Sequence, residues 1–263
     1  MKIKPKKSLG QNFLIDNNII SLVVDLANIK RNDVIIEVGP GTGNLTKEII
    51  SKKPKKLILI EKDKNLSEQL RNKFNDDVLL INDDILKIDE RKLCKDQITI
   101  FGNLPYNIST QILIKWLKFK NLNFFCKKLI LMFQKEVADR IIAKTNNKDY
   151  GRLAIFSSWK MNIKKIKDIS PNSFFPSPKV KSTLLLMEPK NNTFDIKDPK
   201  NLEFITNVFF NQRRKMIKKP LKLLFKDVDK IALKLNLNLS ERPQNLSPLN
   251  YFNICKEYEK SLN

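Results

Sequence analysis

The chain has 263 residues, with 50 Lys and Arg against 28 Asp and Glu, a formal charge of +22 and no histidine. That length suits one substantial domain and a small second one, and the charge points to a polyanion such as nucleic acid, unless a Lys- and Asn-rich codon usage produces it. Cys94, Cys126 and Cys255 are odd in number and far apart, which with the missing histidines excludes a zinc site or a disulfide framework and removes the commonest general base.

The N-terminus, Met1 to Lys7, is basic and no signal-peptide core follows it. No apolar run approaches the ~18 residues of a membrane helix, so a cytoplasmic protein without membrane or metal is expected. Ser8-Leu9-Gly10-Gln11-Asn12-Phe13-Leu14 comes next, and Asp16 is placed to cap a helix with Ile20, Val23, Val24 and Ala27 on its apolar face. The stretch reads either as a hydrophobic lead-in or as a source of amides (Gln11, Asn12) and an aromatic face (Phe13) for a site. Spacing does not choose between these.

Val34-Ile35-Ile36 reads as a buried strand closed by Glu37-Val38. Gly39-Pro40-Gly41-Thr42-Gly43 then turns the backbone, and Leu45, Ile49 and Ile50 begin a helix. The chain has six glycines and three fall within these five residues, which marks either a close approach of backbone to a ligand or a ligand-free tight turn. The dinucleotide pattern G-x-G-x-x-G would need glycine where Asn44 stands, and the Gly-Lys-Ser/Thr of a phosphate loop is absent. What stands is acid-x-G-x-G-x-G. A second strand, Leu57 to Ile60, ends in Glu61, whose carboxylate suits a ribose diol and repels a phosphate. The pairing resembles Rossmann-like methyltransferases that use S-adenosylmethionine (SAM).

Leu66 to Phe74 has a helical pattern, and Val78 to Ile81 reads as a third strand ending in Asn82-Asp83-Asp84-Ile85-Leu86. Asp84 and Ile85 suit an adenine, the acid accepting from its amine and Ile85 covering a ring face; on the residues alone, a polar turn with a helix cap is the better reading. A fourth strand, Ile98 to Phe101, leads into Gly102-Asn103-Leu104-Pro105-Tyr106-Asn107-Ile108-Ser109. Thr110 then starts a helix carrying Ile112, Leu113, Trp116 and Leu117.

Ligands of open α/β sheets sit outside the carboxyl ends of the strands, so these tips should face one crevice. An adenine amine is a poor nucleophile because its lone pair is delocalised into the ring. The Asn103 side-chain oxygen and a carbonyl such as that of Leu104 would bind its two hydrogens and favour the pyramidal nitrogen of the transition state. Pro105 would stiffen the turn and Tyr106 would stack on the base. The alternative is an ordinary loop capped by Ser109.

Lys128 to Phe133 reads as a fifth strand, followed by a helix through Val137, Ile141 and Ile142. Tyr150-Gly151-Arg152-Leu153 opens the next element. Trp159 to Ile166 and Ser182 to Glu188 read as paired strands, with Phe174-Phe175-Pro176-Ser177-Pro178-Lys179-Val180 between them, either flanking a flipped-out base or packing on the sheet. Glu188 to Thr193 has linker character, giving domains of 1–190 and 191–263. Beyond it the pattern is helical only, with Phe204, Ile205, Val208 and Phe209 on one face and Val228, Ile231, Ala232 and Leu235 on another. Between them, Arg213, Arg214, Lys215 and Lys218, with Lys219, Lys222 and Lys226, form an almost acid-free basic run that reads as a phosphate-contacting surface.

Taken together, Leu9 to Leu14, Glu37 to Gly43, Asn103 to Ser109, Gln134-Lys135-Glu136, Tyr150 to Leu153, Phe174 to Val180 and Phe210 to Lys215 resemble the bacterial small-subunit rRNA adenine dimethyltransferases over nearly the full length. The resemblance implies an α/β, Rossmann-like class I methyltransferase sheet with a small all-α C-terminal domain that binds RNA or the ribosome. It implies transfer of four methyl groups from SAM to two adjacent adenosines in the terminal hairpin of small-subunit rRNA, on the immature small subunit, by a monomer. By position it assigns Asn12, Leu14, Gly39, Gly41, Glu61, Asp84 and Asn103 to the SAM site, and Asn103, Leu104 and Tyr106 to presenting the amine. Asn82-Asp83 before Asp84 departs from the family pattern. Two alternatives remain: a large-subunit rRNA adenine methyltransferase, against which Asn211 to Lys215 argues, and an assembly factor with a vestigial SAM site.

Overall fold

The computed structural model describes residues 5, 6 and 9–262. Lys7, Ser8 and residues 1–4, and with them most of the basic tail, lie outside the described residues. The strands are β1 (Phe13–Leu14), β2 (Val34–Val38), β3 (Lys56–Ile60), β4 (Leu79–Ile81), β5 (Ile98–Asn103), β6 (Cys126–Gln134), β7 (Met161–Ile169), β8 (Phe174–Phe175) and β9 (Ser182–Pro189). The helices are α1 (Asn17–Ala27), α2 (Asn44–Ser51), α3 (Lys64–Phe74), α4 (Ser109–Leu117), α5 (Leu122–Phe125), α6 (Lys135–Ile142), α7 (Arg152–Lys160), α8 (Pro199–Phe210), α9 (Lys218–Leu224), α10 (Val228–Leu235) and α11 (Pro248–Ser261). None of them is long and apolar enough to cross a membrane.

Two compact units form: residues 1–138 with 162–189, and residues 139–161 with 190–263. The first is built on a seven-stranded sheet of order β4-β3-β2-β5-β6-β9-β7. β2 pairs in parallel with β3 on one side and β5 on the other, β4 and β6 extend the parallel set, and β9 runs antiparallel to β6. Every residue of β2 is buried, as expected of a strand covered on both faces, which is why Val34 to Val38 reads as an unbroken apolar run around Glu37. The chain order reverses at β2, so the crevice at the carboxyl ends of β2 and β5 is the topological switch point.

Outside the main sheet, β1 pairs antiparallel with β8, setting Phe13 opposite Phe175 and Leu14 opposite Phe174. Asp16 caps α1 as its position predicts, accepting from the N–H groups of Asn18 and Ile19, and also takes the Ser173 hydroxyl at 2.9 Å. These contacts bring the segment before α1 against the loop after β7.

The expected boundary near residue 190 is one crossing between the units, but residues 139–161 belong with the C-terminal helices rather than with the sheet. The reason is aromatic packing. Tyr150 is fully buried, donates its hydroxyl to the Leu246 carbonyl at 2.9 Å, and meets Phe210 edge-on, while Phe210 stacks on Tyr251. Trp159 is likewise not in a strand: it lies in the last turn of α7 and donates its indole N–H to the Phe194 carbonyl, and β7 starts at Met161. Most of α7 is buried, Ser157 and Lys160 included, so its apolar residues do not fall on one stripe and the sequence shows neither a helical nor a strand period.

Candidate active site

The ends of β2, β3 and β5 and the turn after β4 open onto one cavity in the first unit. Asn12, Leu14, Gly39, Gly41, Glu61, Asp84 and Asn103 all line it, together with Glu37, Asn44 and Ile85. The glycine turn forms its floor. Gly41 has φ +58, and a Cβ there would sit 2.6 Å from Cδ1 of Phe13; Gly43 has φ +77, and a Cβ would sit 2.6 Å from Cε2 of Phe74. Rings of the protein itself therefore press on two of the three glycines.

Glu61 is buried at the end of β3 and accepts the N–H of Asp63 at 2.9 Å and of Gly41 at 3.2 Å. Burial raises its pKa despite those bonds. Glu37 lies deeper, with its carboxyl held by the Thr46 hydroxyl at 2.7 Å. Loss of hydration, opposed by the Thr46 bond and reinforced by the neighbouring Glu61 charge, pushes Glu37 up to about 8. Asp84 behaves oppositely. Its ion pair with Lys62 at 2.8 Å, together with the N–H of Leu86, keeps its carboxyl below the usual range. The turn-cap role and a place on the cavity wall thus coexist in Asp84.

The segment before β1 forms another wall. Asn103 donates Nδ2 to the Asn12 carbonyl at 2.6 Å, and Asn44 donates to the Leu14 carbonyl at 2.9 Å. The Gln11 amide is held by Asp63, which also pairs with Lys6 at 2.9 Å. The Phe13 ring lies on Gly41.

Leu104 and Tyr106 stand apart from the residues lining the cavity. The Leu104 side chain is buried against Gly102, and the Tyr106 hydroxyl shares a 2.6 Å hydrogen bond with the fully buried Ser182. Of the aromatic pair ahead of the prolines, Phe174 packs inside while Phe175 is 56% exposed.

In the second unit, Arg213, Arg214 and Lys215 occupy the turn between α8 and α9, and Lys218 opens α9. Arg214, Lys215 and Lys218 are exposed. Arg213 is committed to the protein: Nε donates to Gln244 at 3.1 Å and Nη2 donates to the carbonyls of Asn147 and Lys148. It also borders a concavity shared with Arg140, Lys148 and Arg152. The sequence reading took Arg152 only as part of Tyr150 to Leu153 and did not single out Arg140, because nothing local groups either of them with Arg213. Ser182 escaped it because a serine opening a strand looks like any polar flank.

A family model described as ribosomal RNA adenine dimethylase matches residues 2–260. The chain belongs to the ribosomal RNA adenine dimethylase family. The Pelagibacter ubique protein named ribosomal RNA small subunit methyltransferase A is 54% identical to this dimethylase chain, covering 98% of both, and its namesake from Wolbachia pipientis of Culex pipiens is 42% identical, covering 93% of both. Among solved structures, a dimethyladenosine transferase from Plasmodium falciparum superposes with a TM-score of 0.79 at 23% identity, covering 94% of this chain and 98% of its own. The 23S rRNA methyltransferase ErmE superposes at 0.70 with 19% identity, covering 94% and 100%. Those two show a shared fold: the dimethylase has the expected class I methyltransferase sheet with a helical C-terminal region.

Proposed function

We propose that this dimethylase transfers methyl groups from SAM to the exocyclic amines of two adjacent adenosines in the 3′-terminal hairpin of small-subunit rRNA. It works as a cytoplasmic monomer on the immature small ribosomal subunit. The observation that carries this reading is that Asn103, at the end of β5, shares one cavity with the glycine turn and Glu61. The names of the curated relatives support the substrate.

The cavity's chemistry fits SAM. Four acidic residues, Glu37, Glu61, Asp83 and Asp84, against one cation, Lys62 paired with Asp84, line a cavity suited to a cationic ligand, Glu61 has lone pairs left for a diol, and Ile85 offers an apolar face beside Asp84. When bound, SAM supplies an electrophilic methyl on a sulfonium.

The protein's part is to present the amine. Donation of Asn103 Nδ2 to Asn12 fixes the amide so that Oδ1 is the atom left to accept an N–H from adenine. The Leu104 side chain is anchored inside, which sets its backbone carbonyl as the second acceptor. Two acceptors on one amine favour its pyramidal form, in which the lone pair is released for attack. Tyr106 stacks on the base, and the exposed cations Arg214, Lys215 and Lys218 contact phosphates.

Incubation with labelled SAM and unmethylated small subunits, followed by nucleoside analysis, tests the reading. Dimethyladenosine in small-subunit rRNA is expected; label confined to large-subunit rRNA overturns it. Asn103→Ala should abolish most turnover while leaving RNA affinity within about twofold, since Asn103 acts on the transition state.

A further inference from the structure

Lys115 sits on α4, the helix that follows the Asn103 to Ile108 turn. Its side chain is 19% exposed, and its ammonium donates to the carbonyl oxygens of Ile85 and Ile88 and, at 2.8 Å, to the carboxylate of Glu90. Glu90 is fully buried and takes a further N–H from the Trp116 indole at 2.7 Å. An ammonium has three donors, and here all are spent on one short segment. A buried ion pair adds little net stability over a well-packed apolar pair, because desolvation offsets the attraction; what it does provide is fixed geometry. The geometry fixed here is that of residues 85–90, whose first member lines the cavity beside Asp83 and Asp84.

We infer that Lys115, with Glu90 as its counter-ion, is a positioning residue for the base end of the donor cavity. It grips the Ile85 carbonyl, so that the Ile85 side chain lies along one face of the purine and Asp84 stays within reach of the purine's amine. This rests on the reading above, in which SAM binds with its adenine toward Asp84 and Ile85.

The test is calorimetric binding of S-adenosylhomocysteine and of its hypoxanthine counterpart, S-inosylhomocysteine, to the full chain. The wild-type chain must first bind the adenine ligand and prefer it; failure there overturns the reading of the cavity rather than the role of Lys115. Lys115→Met alone strands a buried carboxylate, so the informative variant is Lys115→Met with Glu90→Gln, which leaves no unpaired charge. Its thermal melt reports whether it folds. In the folded double variant the preference for adenine should fall about tenfold, the scale of one well-placed hydrogen bond. An unchanged preference overturns the inference, and so does an equal loss of both ligands, which is what a merely structural role gives. If the double variant does not fold, Lys115→Arg, which keeps the charge but alters the donor geometry, is measured against the same two criteria.

Discussion

Glu37→Gln should remove a pH dependence that the wild-type chain carries in both stability and donor affinity. Glu37 is 2% exposed, and burial beside Glu61 lifts its carboxyl from an ordinary 4.5 to about 8. The folded chain therefore holds a proton that the unfolded chain releases. The stabilisation is complete below about 4.5 and is lost as pH rises to about 8, at about 1.4 kcal/mol for each pH unit and roughly 5 kcal/mol in all. A sulfonium and an ammonium placed in the same cavity favour the ionised carboxyl, so SAM binding should release close to one proton at about pH 7. Affinity should then rise by up to about tenfold per pH unit and level off above about 8. Calorimetry in two buffers of different ionisation enthalpy counts the proton, thermal melts across the pH range follow the stability, and the Gln variant supplies the background from the ligand's own amine. A wild-type affinity flat between about pH 6 and 8, or a Gln variant that keeps the slope, refutes the reasoning.

Gly41→Ala should cost about 1–3 kcal/mol in thermal melts, since Ala is strained at φ +58 and its Cβ meets Phe13; adding Phe13→Leu should recover the clash but not the backbone strain, and no recovery would deny the contact. Tyr106→Phe and Ser182→Ala should each lower kcat roughly fivefold, the scale of one hydrogen bond, and the double variant should be no worse than either. Additive losses would mean that the two act separately. Arg213→Ala should lower stability by about 1–3 kcal/mol, because its guanidinium holds Gln244 and two carbonyls. Arg214→Ala and Lys215→Ala should leave the melt unchanged and flatten the salt slope of RNA binding by about one each; the reverse pattern would exchange their roles.

The sheet was legible because its central parallel strands are covered on both faces and read as short apolar runs with a punctuating turn, while β4, at the edge with Leu79 exposed, keeps the apolar run without that burial. Val34 to Val38 is the clearest case, and the acid after β3 followed from the same rhythm. Gathering Glu61, Asp84 and Asn103 at one crevice follows from strand order, which a parallel sheet makes predictable, whereas Asn12, ahead of β1 and outside that sheet, was placed there only by the resemblance. Three things were not legible. The helix that contains Trp159, α7, is buried on most sides and carries no period. The allegiance of residues 139–161 depends on Tyr150 meeting the Phe210 ring and the Leu246 carbonyl, partners 60 and 96 positions away whose meeting leaves no local trace. Arg213 looks identical in sequence to Arg214, and only the carbonyls of Asn147 and Lys148 separate a structural cation from an exposed one.

The rings that crowd Gly41 and Gly43 change what an intact glycine motif testifies to. Phe13 fills the space at one glycine, and Phe74 with Leu70 fills it at the other. A chain that had lost its chemistry and survived only as a scaffold would still lose stability if either glycine were replaced. Gly39 differs, since a Cβ there would make only ordinary contacts with the Asn103 carbonyl and Pro105, at 3.6 and 4.0 Å. Evidence that a relative still methylates is therefore to be sought in Glu61 and Asn103, whereas the two crowded glycines report on the protein's interior.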